Sequence, residues 1–189
     1  MRKRIRQLLN LLLVTLILSW IVFLFIFGPE KIIFHIGTSN GYLLAFASAF
    51  FGDLATISAL SVYPAIIAFA IGGLNPLILG ISAAFGITLA NLVFFYIGLK
   101  SHNVVKSSSK FAKFNNKIIG FINNKPDWII PILIWAYIGL SPFPNNLLTA
   151  GSGLINYPIK KILPPLFLGN ITLMTLIAYF SIIGIEILK

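Results

Sequence analysis

Apolar residues fill most of this chain, and the places where they stop organise it. One unbroken run covers Leu8 to Phe27, and a second stretch, Tyr42 to Ile71, is interrupted at Phe51-Gly52-Asp53 and Val62-Tyr63-Pro64. A clean span follows over Asn75 to Gly98, then a basic segment. The next apolar stretch, Trp128 to Leu154, is broken at Ser141-Pro142-Phe143-Pro144-Asn145-Asn146, and a last span covers 158–187. Non-helical backbone at membrane depth survives only where protein or water satisfies it, so a broken helix ahead of a clean span, twice over, is the mark of a transport-type membrane fold.

Composition fits that reading. With 58% hydrophobic and 10% charged residues over 189 positions, an ordinary soluble domain is excluded and one membrane bundle is the natural size. The run 8–27 reaches about 30 Å, one bilayer core. It is too long for a signal-peptide core, and Phe27-Gly28-Pro29-Glu30 is a poor cleavage site, so it reads as a retained transmembrane helix with Arg2, Lys3, Arg4 and Arg6 in the cytoplasm. Gly28 to Gly41 is expected outside, where Pro29 and the glycines argue against a long helix.

Charge chooses the path of the broken segments. If every apolar segment crossed fully, the six lysines from Lys100 to Lys125 would lie outside, against the positive-inside rule. If Tyr42 to Ile71 dips in and returns, and Trp128 to Leu154 does the same, twelve of the fourteen basic residues lie inside, leaving Lys31 and Lys189 outside. Letting the second segment cross fully still leaves eleven inside and three outside, so its re-entrance rests on its prolines and on its likeness to the first. The expected fold is therefore an all-α, multi-pass plasma-membrane protein with its N-terminus in the cytoplasm. It has three full transmembrane helices (8–27, 75–98, 158–187), two opposed re-entrant helical hairpins (42–73, 128–154) in an inverted repeat, and a cytoplasmic amphipathic helix over 103–124. The repeat is carried by Tyr63-Pro64, Asn75-Pro76, Asn91 and Tyr96 in one half, and by Phe143-Pro144, Asn156-Tyr157-Pro158, Asn170 and Tyr179 in the other.

Few residues can carry chemistry at depth. Entry at Tyr42 places Asp53 about 16 Å deep, near the midplane. An ionisable group there costs roughly 2.5–3.5 kcal/mol on insertion, which makes it a functional candidate. The alternative is that it caps a second half-helix, accepting N–H bonds from Ala55 and Thr56. Asn145 and Asn146 stand at the other break, either as neutral donors to phosphate or carbonyl oxygens or as turn and cap residues. Asn91 and Asn170 lie within full spans and fit a role as hydrogen-bonding glue between helices, while Gly80, Ala84, Gly86 and Ala90 have the spacing of close helix packing. Lys106, Lys110, Lys113 and Lys117 fall within about 60° on a helical wheel, beside Phe111, Phe114, Ile118, Phe121 and Ile122. This face either attracts anionic headgroups at the inner leaflet or only fixes topology.

Other classes find no support. The basic residues sit beside apolar spans with no aromatic-basic face, so nucleic acid is not an expected partner. There is no cysteine, hence no disulfide or thiolate site. His35 and His102 are isolated, and no metal-ligand, nucleophile-base or phosphate-cradling spacing occurs, so neither enzyme chemistry nor a metal or cofactor is expected. Membrane lipids, with anionic headgroups on the cytoplasmic side, are the expected partners. Self-association into a homo-oligomer is left open.

Val62-Tyr63-Pro64, Gly72-Gly73-Leu74-Asn75-Pro76 and the Gly86, Asn91, Tyr96-Ile97-Gly98 series resemble the first half of the DedA/VTT (SNARE-associated Golgi protein) membrane family. Ser141-Pro142-Phe143-Pro144-Asn145, Thr149-Ala150-Gly151, Asn156-Tyr157-Pro158 and Gly169-Asn170 are similar to its second half, so the likeness covers roughly 41–184. The resemblance implies two facing re-entrant hairpins and movement of phospholipid or lipid-linked phosphate between leaflets, as a scramblase or flippase serving membrane homeostasis. It adds Pro64, Tyr96, Ser141 and Pro144 to Asp53, Asn91, Asn145, Asn146 and Asn170 as substrate-path or ion-binding candidates. The chain departs from the family where charge is usual: Ala65-Ile66 stands in place of a glutamate, Ser141 and Asn145 replace arginines, and Asn91 replaces an acid. Those departures remove the basis for proton coupling and leave energy-independent scrambling. A small-solute or ion-coupled secondary transporter and a membrane scaffold remain as alternatives.

Overall fold

A computed structural model describes residues 15, 37–55, 62–105, 109–126, 128–141 and 143–188. Among them the chain is all-helical: α1 (Thr38–Ala55), α2 (Tyr63–Ile71), α3 (Pro76–Val105), α4 (Ser109–Asn123), α5 (Ile129–Leu140), α6 (Asn145–Leu154) and α7 (Ile159–Leu188). Among the described residues two stretches are long and apolar enough to cross a membrane, Pro76–His102 in α3 and Ile159–Ile187 in α7. The run 8–27 lies outside the described residues.

Several expected boundaries move. α1 starts at Thr38, after Gly37 at φ +82°, and continues through Phe51-Gly52-Asp53 to Ala55. A lone helical glycine costs only about 1 kcal/mol relative to alanine, and the packing of α1 along α3 outweighs it. α3 does not end at Gly98 but runs on to Val105, since Lys100-Ser101-His102 contains no helix breaker and the His102 ring contacts the Leu154 carbonyl at 2.7 Å. The amphipathic helix is correspondingly shorter than 103–124. The break between α5 and α6 falls at Ser141 to Pro144, as the prolines require.

The returns after α2 and α6 share one design. At the first, Gly73 takes φ +94°; Gly72 donates to Ala68, Gly73 to Ala70 and Leu74 to Phe69. At the second, Asn156 takes φ +57°; Ile155 donates to Gly151, Asn156 to Gly153 and Tyr157 to Ser152. Each is a left-handed residue closing a helix with the same three bonds, which satisfies the last carbonyls before the next helix begins. Counted from these residues, Gly86 and Gly169 fall at the same position. Asn91 and Asn170, paired in the sequence repeat, do not.

α3 and α7 form the central pair and run antiparallel, with Gly80 against Thr175 and Thr88 against Asn170. α1 runs parallel to α3: Tyr42 meets Ser82, Phe46 and Phe50 meet Gly86, and Asp53 meets Asn91. α6 continues the same line further along α3, with Thr149 against Asn91 and Ala150 and Leu154 against Gly98. The C-terminal end of α1 therefore meets the N-terminal end of α6. On α7 the mirror arrangement holds: Ile134, Ile138, Ile162 and Leu166 join α5 to its first half, and Ile66 and Phe69 of α2, with Val62 just before it, pack with Leu173, Met174 and Ala178 in its second. Each long helix thus carries two short helices end to end, one from its own half and one from the other. Tyr42 Oη accepts from the Asn75 N–H at 3.0 Å, so the chain comes back after α2 to the level at which α1 began.

Candidate functional site

Two apolar clusters, one around Ile66, Leu79 and Met174 and one around Ile138, Ile162 and Leu166, are separated by a polar layer where the short helices meet. It holds Asp53, Thr88, Asn91, Asn145, Asn146, Thr149 and Asn170, all buried. Asn91 Nδ2 donates to Asp53 Oδ2 at 3.2 Å and to the Ile87 carbonyl at 2.9 Å, and its Oδ1 accepts from Thr149 Oγ1 at 3.0 Å. Asn145 Nδ2 donates to Asn170 Oδ1 at 2.9 Å, and Asn170 Nδ2 to Thr88 Oγ1 at 3.1 Å. Asn146 Nδ2 donates to the Asp53 carbonyl at 3.1 Å. The layer ties α1, α3, α6 and α7 together through amides, which supply both donors and acceptors without the desolvation cost of charge.

Local sequence explains how the layer is built. Thr88 precedes Asn91 by three positions and Thr149 follows Asn145 by four, so each pair shares a helix face. α6 begins directly at Asn145, with Pro144 as its N-cap: φ −61° suits a helix start but ψ 113° is extended, and the proline ring keeps the residue before it out of helical backbone. The Asn145 side chain is then free of capping duty, and α6 has no side-chain cap bond. Asp53 likewise does not cap a second half-helix. It lies inside α1, while α2 starts at Tyr63 and carries no side-chain cap bond either.

Five of the nine path candidates come together here: Asp53, Asn91, Asn145, Asn146 and Asn170. Pro64 sits half-buried in the first turn of α2 and Pro144 just ahead of α6, so both shape the breaks without entering the hydrogen-bonded layer. Ser141 stays local, its Oγ accepting from the Phe143 N–H at 3.3 Å. Tyr96 is a correction: it is 56% exposed, its ring edge-on to Phe95, and takes no part in the site. Five residues past Asn91 is about 140° round the helix, the far face. Thr88 and Thr149 were missed, although their spacing from Asn91 and Asn145 was available in the sequence.

Lys113 and Lys117 are exposed on α4. Lys106 and the Lys110 side chain lie outside the described residues. Among the described residues no group of three or more histidine, aspartate or glutamate side chains could hold a metal ion. Compared with protein families, curated proteins and solved structures, the chain matches none.

Proposed function

We propose that this chain is an integral membrane lipid transporter that moves phospholipid or lipid-linked phosphate between leaflets without ATP. In this reading α3 and α7 span the bilayer, the run 8–27 is a third span, and α1–α2 and α5–α6 are re-entrant hairpins entering from opposite sides in an inverted repeat. The observation that carries it is the buried polar layer. Asn91 lies about 22 Å along α3, a helix of about 45 Å, and Asn170 about 17 Å along α7, so with these helices as spans the layer would fall near mid-bilayer. Polar side chains are rare at that depth and mark substrate or ion pathways. Half-helix ends meeting there are the arrangement in which transporter sites are built.

The motifs resembling DedA/VTT proteins support lipid as the cargo over a small solute. α4 supports it too, with lysines on one face and apolar residues on the other, able to lie on an anionic inner leaflet at roughly 1 kcal/mol per lysine. The placement is multi-pass in the plasma membrane, with the N-terminus and α4 in the cytoplasm.

The test is transfer of fluorescent phospholipid across the bilayer of vesicles containing purified protein, without nucleotide. Transfer above empty vesicles is expected, and Asn145→Leu with Asn146→Leu should slow it at least tenfold while helix content is kept. A folded protein giving no transfer for zwitterionic, anionic or polyprenyl-phosphate lipid would leave the ion-coupled or scaffold reading in its place.

A further inference from the structure

Each return of the chain, after α2 and after α6, borders a cavity, and the two cavities differ in charge. The one at Gly73 to Pro76 has a volume of about 440 Å³ and is lined on α7 by Ile182, Ile185 and Glu186, with no basic residue among those described. The one at Ile155 to Pro158 has about 410 Å³, and Lys125 and Lys161 both line it. Lys125 follows α4 and Lys161 stands in the first turn of α7, so tertiary structure brings them to one space. Ile119 and Ile122 of α4 and Ile130 of α5 form an apolar wall of the same cavity. The three isoleucines are half-buried, whereas both lysines are exposed.

The helix ends around this cavity do not decide its sign. α4 and α6 end beside it and α5 and α7 begin there, so two negative ends, each worth about half a charge, offset two positive ones. The lysines decide it. Even with Asp127 counted against them, a residue outside the described ones, two lysines less one carboxylate leave one positive charge. The volume falls in the range of about 300–1,000 Å³ that holds small ligands. With α7 as a span, Lys161 lies just inside its membrane end at Ile159, the level of the headgroups. A free phosphate would use the lysines and leave the isoleucine wall without a partner. A phospholipid uses both, and basic pockets between membrane helices on the cytoplasmic side are suited to anionic headgroups.

We infer that the cavity between α4, the start of α5 and the α6–α7 turn binds one anionic phospholipid, its phosphate on Lys125 and Lys161 and its glycerol end against Ile119, Ile122 and Ile130. The site rests on the membrane placement proposed above, but it is tested by binding and not by transfer.

The experiment uses the purified, delipidated full chain in uncharged maltoside micelles. Phosphatidylglycerol, phosphatidylcholine and inorganic phosphate are titrated separately, with bound lipid counted by native mass spectrometry and thermal unfolding followed alongside. One phosphatidylglycerol per chain should bind saturably, at least tenfold more tightly than phosphatidylcholine, and raise the unfolding temperature; phosphate at the same concentration should not raise it. Lys125→Gln with Lys161→Gln should weaken phosphatidylglycerol binding at least tenfold and leave the lipid-free unfolding temperature near the parent's, since both side chains are exposed. Lys113→Gln with Lys117→Gln removes the same charge from α4 at positions that do not line the cavity, and should change the affinity less than twofold. Equal weakening by the two double variants, no saturable phosphatidylglycerol, or phosphate acting as strongly as the lipid overturns the site. Saturable phosphatidylglycerol on a protein that moves no lipid would keep the site and end the transport reading, and transfer without saturable binding would do the reverse.

Discussion

Asn170 joins the two halves through one side chain, accepting from Asn145 and donating to Thr88. Asn170→Ala should destabilise the protein by about 1–3 kcal/mol, because Asn145 Nδ2 loses its acceptor inside the core. Asn116→Ala, on the exposed face of α4, should change nothing measurable by thermal unfolding in micelles. Equal shifts for the two would show that the buried amide network does not hold the halves together. At this scale the sequence was informative about which residues matter and poor about direction. Asp53, the asparagines at the second break and the two inside the apolar spans do share one buried layer. The side of the helix that faced a partner was not legible. Tyr96 was chosen on its motif although it lies round the helix from Asn91, and the cap role for Asp53 assumed a helix end that packing on α3 removes.

Among the elements, close approach is set by glycine. A Cβ on Gly86 would collide with the Phe46 carbonyl, one on Gly153 with the Phe95 carbonyl and one on Gly98 with the Ala150 carbonyl, whereas nothing lies within 4 Å of the position at Gly151. Gly86→Ala and Gly153→Ala should each cost about 1–3 kcal/mol through overpacking against backbone that cannot move aside. Gly151→Ala, on the same helix as Gly153, should be neutral or add up to about 1 kcal/mol by helix propensity. Thermal unfolding of the three variants decides it, and a Gly151 variant as unstable as the Gly153 one would mean that propensity and not contact governs α6. The small-residue spacing over Gly80, Ala84, Gly86 and Ala90 announced the contact at Gly86 but not those at Gly98 and Gly153, and the prolines announced the breaks, because both signals act locally. Gly52 misled because a single glycine weakens a helix without ending it. For α4, Lys110→Gln, Lys113→Gln and Lys117→Gln together should slow transfer in anionic vesicles and leave zwitterionic vesicles nearly unchanged. Equal slowing in both would assign the lysines to topology alone.

Over the whole molecule, what the sequence could not reveal is the exchange of the short helices. The repeat was visible in Tyr63-Pro64 and Phe143-Pro144, and the turns at Gly73 and Asn156 close with the same hydrogen bonds. That α2 packs on α7 and α6 on α3 is a tertiary choice carried by shape and not by local pattern. It interlocks the halves, so neither can bury its second arm alone. The same arrangement makes orientation testable, since the chain has no cysteine. Thr38 and Asn75 stand at one end of the bundle, where Tyr42 binds the Asn75 N–H. Asn124 and Lys160 are exposed at the other, near Ile155 to Lys161. With α4 cytoplasmic, Thr38→Cys and Asn75→Cys should both react with an impermeant maleimide on intact cells, while Asn124→Cys and Lys160→Cys should react only after the membrane is opened. The Asn75 variant gives up the Oδ1 cap on the Leu77 N–H, a loss of about 1 kcal/mol that α3 should tolerate. If Thr38 and Asn75 label from opposite sides, α1–α2 crosses the bilayer and the lipid path loses its first hairpin. If all four positions label in reverse, the hairpins survive and the positive-inside placement of the six lysines is what fails.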